Sequence, residues 1–281
     1  MNPGPRLFGL IAVLSISMVC FSHQRADAAP KRLLIVYQST DGHPPPTHEF
    51  KAGAMVVAEL LKPRRDVAVT LANGDEPWTD GPGLIDLADG IVLFVTQGAR
   101  WMQNSPERHE ALKRLAARGG AIVAIHWSVG AIDGQYIQGQ LDLLGATRGG
   151  PQRKYRELQT ELMPAKPGHP ILRGLRSIRV FDEMYYSLDR RPGIQSLLTS
   201  NIDGKDEMVA WCWERPDKGR SFGFVGLHFH ANWQVEAYRR FVVQGVLWSL
   251  KLPIPSNGVN VDIDSQKLEL NGVMPPRPHE K

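Results

Sequence analysis

Histidine, glutamine and acidic side chains recur at the ends of apolar stretches in this chain or just after them. In order, they are His48-Glu49, Gln97, His126, Asp182-Glu183, His228 and His230. Imidazole and carboxylate groups are what a divalent metal site or a general acid–base catalyst requires. No linear motif decides between the two, because the sequence lacks the HExxH, CxxC, P-loop and GxGxxG patterns.

His126 is the strongest single candidate. It directly follows the apolar run Ala121–Ile125 and precedes Trp127, Ser128 and Gly130. In an open α/β sheet, ligands bind beyond the carboxyl ends of the strands. We therefore expect His126 to face a ligand crevice, the alternative being a histidine hydrogen-bonded inside the core.

Two further pairs of residues complete the candidate set. His228 and His230 have the same parity in an extended segment, so their side chains should share one face, either to hold a metal or to cap the last helix. Asp182 and Glu183 lie between apolar and aromatic residues, and adjacent strand residues face opposite sides, so at most one of them should reach a given pocket. A carboxylate that is desolvated there would bind a metal or a cation, or its pKa would be raised. The alternative is that the two residues form a turn or an ion pair with an arginine such as Arg190.

The elements that must position these residues follow an alternating order. Unbroken apolar runs of strand length alternate with amphipathic helical patterns, which indicates a parallel sheet covered on both faces. The predicted fold is a doubly wound α/β domain with extra strands in its second half. The apolar runs are Leu33–Tyr37, Val67–Thr70, Gly90–Val95 and Ala121–Ile125; the helical patterns are Thr47–Leu61, Ser105–Ala117 and Gln234–Leu250; the later strands are 156–162, 177–181, 195–199, 208–213 and 221–227.

Composition excludes several protein classes. With 281 residues, 42% hydrophobic residues and 2 cysteines, the chain is too apolar for a disordered protein and too poor in cysteine for a disulfide-stapled one. The net charge of +4 is scattered, so nucleic-acid binding is not expected. Cys212 lies between two tryptophans, which is more typical of a packed strand residue than of a nucleophile.

The first 28 residues have the pattern of a secretory signal peptide. Arg6 precedes the apolar run Leu7–Phe21, and Ala26-Asp27-Ala28 provides a small-x-small cleavage site. We expect an exported mature protein, periplasmic or extracellular, with no membrane association after cleavage; an uncleaved anchor is the alternative. We expect a domain over residues 29–252 and a polar, proline-rich tail over 253–281.

The chain resembles the ThuA-like (trehalose utilisation) family of the class I glutamine amidotransferase-like superfamily, particularly its secreted members. The resemblance spans about residues 32 to 252 and depends on the order and spacing of short segments. These are Thr47–Gly53, Gly119–His126, His169-Pro170-Ile171 with Gly174-Leu175, Asp182–Tyr186, Met208–Trp211, Gly219–Phe222 and Gly226–His228.

The resemblance implies a carbohydrate as the small-molecule partner, such as a disaccharide or a 3-keto-glycoside. By motif, His48, His126, Glu183 and His228 correspond to the family's pocket. We expect His126, Glu183 and His228 to hold a divalent metal, zinc being favoured, while His48 or Asp182 moves a proton and His126 takes part in catalysis. His126 stands where an amidotransferase would carry its nucleophilic cysteine, so glutaminase chemistry is not expected. The alternative is a non-catalytic carbohydrate-binding or interaction protein on the same fold.

Overall fold

Nine strands form the central sheet of the protein, whose computed structural model describes residues 29–270 together with Met1 and Gly4. The first half contains β1 (Lys31–Tyr37), α1 (Phe50–Leu61), β2 (Val67–Asn73), α2 (Gly81–Leu87), β3 (Gly90–Phe94), α3 (Gly98–Gln103), α4 (Pro106–Ala117), β4 (Ala121–Ile125), β5 (Gly130–Ala131), α5 (Ile137–Leu144) and β6 (Ala146–Gly149). The second half contains β7 (Lys154–Pro164), β8 (Ile178–Tyr186), β9 (Asp189–Arg190), β10 (Gln195–Ile202), β11 (Lys205–Glu214), β12 (Arg220–Phe224) and α6 (Glu236–Ser249).

The sheet consists of a parallel half and an antiparallel extension. Its strand order is β2-β1-β3-β4-β12-β11-β10-β7-β8, and β5, β6 and β9 form a separate small sheet. The first five strands pair in parallel, whereas every later pair is antiparallel. The parallel order is that of a flavodoxin-like sheet, with β12 as its fifth strand. The predicted α/β fold with extra strands in the second half is confirmed.

Helices cover both faces of the parallel half. Helices α1 and α6 contact each other and the strands from one side, while α2, α4 and α5 lie on the other side. Strands β3 and β4 are buried along their full length, because a strand covered on both faces has no solvent side. Helix α4 begins as predicted, since the Ser105 side chain accepts a hydrogen bond from the Arg108 backbone N–H and Pro106 occupies the first turn.

Some predicted boundaries were wrong. The first helix begins at Phe50 and not at Thr47, because Thr47 makes an isolated antiparallel bridge with Phe229 and His48 adopts a left-handed backbone with φ of 52°. Helix α2 replaces part of a predicted loop. Asp182 and Glu183 lie inside β8 and not after its end.

The termini of the predicted domain are only partly described. The predicted signal peptide lies outside the described residues, apart from Met1 and Gly4. Residues 253–270 of the predicted tail pack against the domain, and four apolar side chains there are buried: Ile254, Val259, Val261 and Leu268. Within the described part of the chain, no helix combines the length and the apolar character needed to cross a bilayer.

Candidate metal and active site

The candidate site lies at the carboxyl ends of the parallel strands. His126 directly follows β4 and His228 follows β12 by a few residues, while Asp41 and Thr96 follow β1 and β3. Parallel strands end at the same edge of a sheet, so residues far apart in sequence meet there. His48, on the segment that leads into α1, joins them because its backbone N–H donates to the carbonyl of His228 at 3.2 Å.

His126 is held in one orientation by the backbone of a neighbouring segment. Its φ of 50° places it in the left-handed region, and its Nδ1 lies 2.8 Å from the carbonyl oxygen of Val225. A carbonyl only accepts hydrogen bonds, so Nδ1 carries the proton and Nε2 carries the lone pair; we assign the tautomer from this contact.

His48 is oriented in the same way by a carboxylate. Its Nδ1 lies 2.7 Å from Asp41, whose oxygens also accept from Thr96 at 2.9 Å and contact Nδ1 of His43 at 2.7 Å. Although burial opposes it, the hydrogen bonds from His48, His43 and Thr96 hold the pKa of Asp41 well below its usual range. Asp41 is therefore a carboxylate, and Nε2 of His48 presents its lone pair.

Three imidazole nitrogens converge at one point. Nε2 of His126 lies 3.0 Å from Nε2 of His48 and 3.0 Å from Nδ1 of His228. Burial and the neighbouring imidazoles lower the pKa of His126 well below its usual value, and burial with His48 and His43 nearby lowers the pKa of His228 to about 3. The pKa of His48 is also lowered, mainly by burial. The three rings are thus neutral, which is the form that binds metals.

The β7–β8 hairpin contributes oxygen atoms from the opposite side. Oε1 of Glu183 lies 3.8 Å from Nε2 of His126 and 3.9 Å from Nδ1 of His228. The Tyr185 hydroxyl lies 3.2 Å from the same His126 nitrogen. Glu157 pairs directly with Glu183 across the strands, and two like charges in that position are unfavourable without a cation. Burial raises the pKa of Glu183, against the opposing effect of Arg148, and Glu157 adds to the rise.

The donor set fits a tetrahedral divalent ion. Bonds of about 2.0–2.1 Å place neighbouring ligand atoms about 3.3 Å apart in such a site. The observed separations of 3.0 Å between imidazoles and 3.8–3.9 Å to Glu183 bracket that value. In addition, a backbone carbonyl and a carboxylate fix the outer nitrogens of His126 and His48, as is usual for metal-binding histidines.

Asp182 has a different role from the proton carrier that the sequence suggested. Its carboxylate is fully buried and accepts from the backbone N–H groups of Leu227 at 2.7 Å and His228 at 3.1 Å, and from the Tyr238 hydroxyl at 3.2 Å. Burial raises its pKa to about 7, although these donors oppose the rise. Because it faces away from Glu183, as strand alternation requires, Asp182 positions the segment that carries His228 and does not join the imidazoles.

One sequence expectation about the histidines needs correction. His230 does not join His228 at the imidazole group, because a 3₁₀ turn begins at His230 and its Nε2 contacts the carbonyl oxygen of Leu268. The expected roles of His48 as a proton carrier and of Glu183 as a metal ligand stay predictions; Nε2 of His48 lies 3.0 Å from Nε2 of His126, and Oε1 of Glu183 lies 3.8 Å from it. Glu183 thus lies at the edge of a three-imidazole group.

Sequence reasoning missed three residues of the site. Asp41 follows the first strand, so the carboxyl-end argument that found His126 could also have found it. Tyr185 and Arg148 gave no such signal, since one lies within a strand and the other on a short strand that the sequence did not predict.

With this geometry established, the relatives of the chain become informative. The family model described as "ThuA: Trehalose utilisation" matches residues 32–249. The chain belongs to the ThuA family. This membership confirms the predicted family and connects the protein with carbohydrate metabolism, whereas the secreted type stays a prediction. No curated protein is similar enough to count as a relative.

Solved structures support the fold of this ThuA family member. A ThuA-like protein from Bacteroides uniformis aligns with a TM-score of 0.60 and 12% identity, over 79% of this chain and 92% of that chain. Gan42B, a GH42 β-galactosidase, aligns with a TM-score of 0.54 and 14% identity, over 79% of this chain but 30% of that enzyme. A glutamine amidotransferase from Thermotoga maritima aligns with a TM-score of 0.43 and 13% identity, over 79% and 96% of the two chains. At these identities the first two structures show a shared fold only.

Proposed function

We propose that this ThuA family member is an exported, metal-dependent enzyme that acts on a carbohydrate, namely a disaccharide or a 3-keto-glycoside. The observation that carries the proposal is the convergence of three neutral imidazole nitrogens, two of which have their outer nitrogens fixed by hydrogen-bond acceptors. Two lone pairs that face each other at 3.0 Å repel unless a proton or a cation lies between them.

The carbohydrate part of the proposal is supported by the family. The matching family model is described by trehalose utilisation, which favours a small sugar as the ligand. Disaccharides and 3-keto-glycosides both offer hydroxyl or carbonyl oxygens that a Lewis acid can polarise. The side chains at the site can then supply hydrogen bonds and proton transfer to those oxygens.

In the proposed mechanism, His48, His126 and His228 would hold a divalent ion such as zinc, with Glu183 beside them. The ion would supply a Lewis acid for a substrate oxygen and would make a neighbouring C–H or a bound water more acidic. Tyr185 stays protonated because burial raises its pKa well above the usual value, so its hydroxyl can donate to a substrate oxygen. Burial raises the pKa of Glu183, so its carboxylate can take up the proton of that C–H or water.

Cys212 does not support an amidotransferase activity. It is fully buried on β11, where burial raises the pKa of its thiol to about 12, and its nearest described polar partner is Nε2 of His169 at 3.5 Å. A nucleophilic cysteine needs a lowered pKa and access to its substrate. Replacing Cys212 by serine should therefore leave the activity unchanged.

Metal analysis of the purified protein tests the proposal. We expect about one zinc or similar ion per chain after purification without added metal, loss of that ion in His126→Ala, and its retention in His109→Ala, a histidine on α4 outside the site. Turnover of trehalose and of 3-keto-disaccharides should stop on chelation and return with metal. Absence of metal from the wild type would reject the proposal, and bound metal without turnover of any disaccharide would favour the non-catalytic alternative.

Export is a separate part of the proposal with its own test. The pattern in residues 1–28 supports a cleaved signal peptide. Mass spectrometry of the protein recovered from its native host should find a mature chain that begins at Ala29 in the periplasmic or extracellular fraction. A full-length chain in the cytoplasmic fraction would contradict this part.

A further inference from the structure

Arg148 is a buried cation beside the candidate site. It lies on β6 with 6% of its surface exposed, and its guanidinium stacks on three aromatic rings. The guanidinium carbon lies 4.0 Å from the ring centre of Tyr185, 4.5 Å from that of Trp127 and 5.1 Å from that of Tyr155. Tyr155 is 58% exposed, so the aromatic group around Arg148 borders on solvent at this ring.

Within residues 29–270, the guanidinium of Arg148 has no hydrogen-bond acceptor. Its Nε–H is enclosed and unpaired, and among the described residues it forms no ion pair within 4.0 Å, although the charge of Glu183 acts on it from further away. The other buried arginines differ: Arg108 pairs with Glu76, Arg215 pairs with Asp217, and Arg239 donates to carbonyls. Burial of a charge is costly unless the charge is paired, so the unpaired state of Arg148 requires an explanation.

The position of Arg148 links it to the imidazole group. The Tyr185 ring on which it stacks also stacks on His126, at a ring-centre distance of 4.9 Å. Burial lowers the pKa of His48 and of His126, and the nearby Arg148 charge adds to both shifts. The guanidinium therefore lies within electrostatic reach of the site from the side of the hairpin.

The aromatic rings also determine which ligand group can bind. Stacking occupies the flat surface of a guanidinium and leaves its N–H edges as the route for hydrogen bonds. A planar carboxylate matches two parallel N–H groups of such an edge. Glu183 acts electrostatically on Arg148 but makes no hydrogen bond or ion pair with its guanidinium, so it is not that partner.

We propose that Arg148 is a specificity-determining residue that binds a carboxylate on the carbohydrate ligand, so that the site takes an acidic sugar in preference to a neutral one. This inference rests on the proposed function for the identity of the ligand as a sugar. It does not require the ion, because the guanidinium and its aromatic walls belong to this chain. A purely structural role for Arg148 would give no preference between acidic and neutral sugars.

Calorimetric titration with glucuronate and glucose tests the inference, because the two sugars differ only in the carboxylate at one carbon. The titrations are made with zinc-loaded and with chelator-treated protein. We expect wild type to bind glucuronate at least about tenfold more tightly than glucose in both forms. Arg148→Met should bring the affinities for glucuronate and glucose to within about twofold of each other. Arg148→Lys keeps the positive charge but lacks the two parallel N–H groups of the guanidinium, so it should show an intermediate preference.

The matched control is Arg156→Met. Arg156 lies on β7, on the face opposite to Tyr155, and pairs with Asp203 at the surface. This variant should keep the full preference. Wild type without the preference, or without glucuronate binding, would overturn the inference, as would Arg148→Met or Arg148→Lys with the full wild-type ratio. Zinc content is measured separately, so a protein without zinc that still prefers glucuronate would refute the metal site alone.

Discussion

The parallel half of the sheet and the antiparallel extension contribute different chemistry to the candidate site. The parallel half provides neutral imidazoles, and two of them, His48 and His126, sit on left-handed backbone where their strands or loops end. The extension provides Glu183 and Tyr185 from the interior of the regular strand β8. Under the proposed function, metal binding would depend on loops beyond strand ends, whereas contacts with the ligand would depend on the β7–β8 hairpin.

Asp182 connects the two regions. It belongs to β8 of the extension, yet it binds the backbone that follows β12 of the parallel half. A substitution at this contact in one region should therefore also affect the structure of the other region. The predictions below test the division between the two regions and this connection.

The largest effects are expected for two variants that separate metal binding from catalysis. His48→Ala should lower zinc affinity about 1000-fold, or about 4 kcal/mol, because it removes a ligand of the parallel half. Glu183→Gln should keep zinc within about tenfold and lower turnover by about 100-fold, because it removes the group that moves the proton. Zinc competition assays and steady-state kinetics measure both, and the opposite pattern would refute the division.

Asp182→Ala tests the connection between the two regions. The variant leaves the N–H groups of Leu227 and His228 and the Tyr238 hydroxyl without an acceptor in the protein interior. We expect the free energy of unfolding to fall by about 3 kcal/mol in urea titrations, and zinc to bind more weakly. The surface variant Asp206→Ala should change stability by less than about 0.5 kcal/mol. A stable Asp182→Ala protein with normal zinc affinity would show that the two regions are independent.

A smaller effect is expected for the residue that orients His48. Asp41→Asn keeps the size of the side chain but removes its charge, so Nδ1 of His48 loses its anionic acceptor. Zinc affinity should fall about 10- to 100-fold, with little change in melting temperature. Asp75→Asn, at a surface carboxylate that binds Ser39, is the control. Unchanged zinc affinity in Asp41→Asn would argue that His48 is not a ligand.

The smallest effect concerns a histidine outside the site. Burial, with Lys166 nearby, lowers the pKa of His169 to about 4, and its Nδ1 accepts from the Ile171 backbone N–H. Since its ordinary pKa is 6.5, the unfolded chain takes up a proton first, and stability is lost as the pH falls from 6.5 toward 4. Because His169 is only partly buried, solvent screening reduces this effect. Between pH 6.5 and 4, the free energy of unfolding of chelator-treated wild type should therefore fall by about 1 kcal/mol more than that of His169→Gln. An equal loss of stability in the two proteins over this pH range would contradict the prediction.

The sequence predicted the fold better than the site. Continuous apolar runs such as Gly90–Val95 identify strands buried on both faces, and the capping pair Ser105-Pro106 identifies a helix start. The carboxyl-end argument located His126 because its strand is unmistakable. These features are local in sequence, so a single chain is enough to find them.

The remaining parts of the site depend on contacts that local patterns do not encode. His230 contacts the carbonyl oxygen of Leu268, 38 positions further along the chain, which parity arguments cannot foresee. The role of Asp182 depends on its partner segment 45 positions away in the sequence. Arg148 and Tyr185 meet only because the hairpin folds over the sheet edge, and side-chain periodicity carries no information on such packing.

Left-handed backbone at His48 and His126 has a consequence for descent within the family. A residue other than glycine in this conformation costs roughly 1 kcal/mol, so the chain maintains each histidine against its own conformational preference. A lineage released from the need for this chemistry would drift toward glycine or asparagine at both positions. The residue types at these two places would then sort relatives that keep the site from relatives that inherit the scaffold alone.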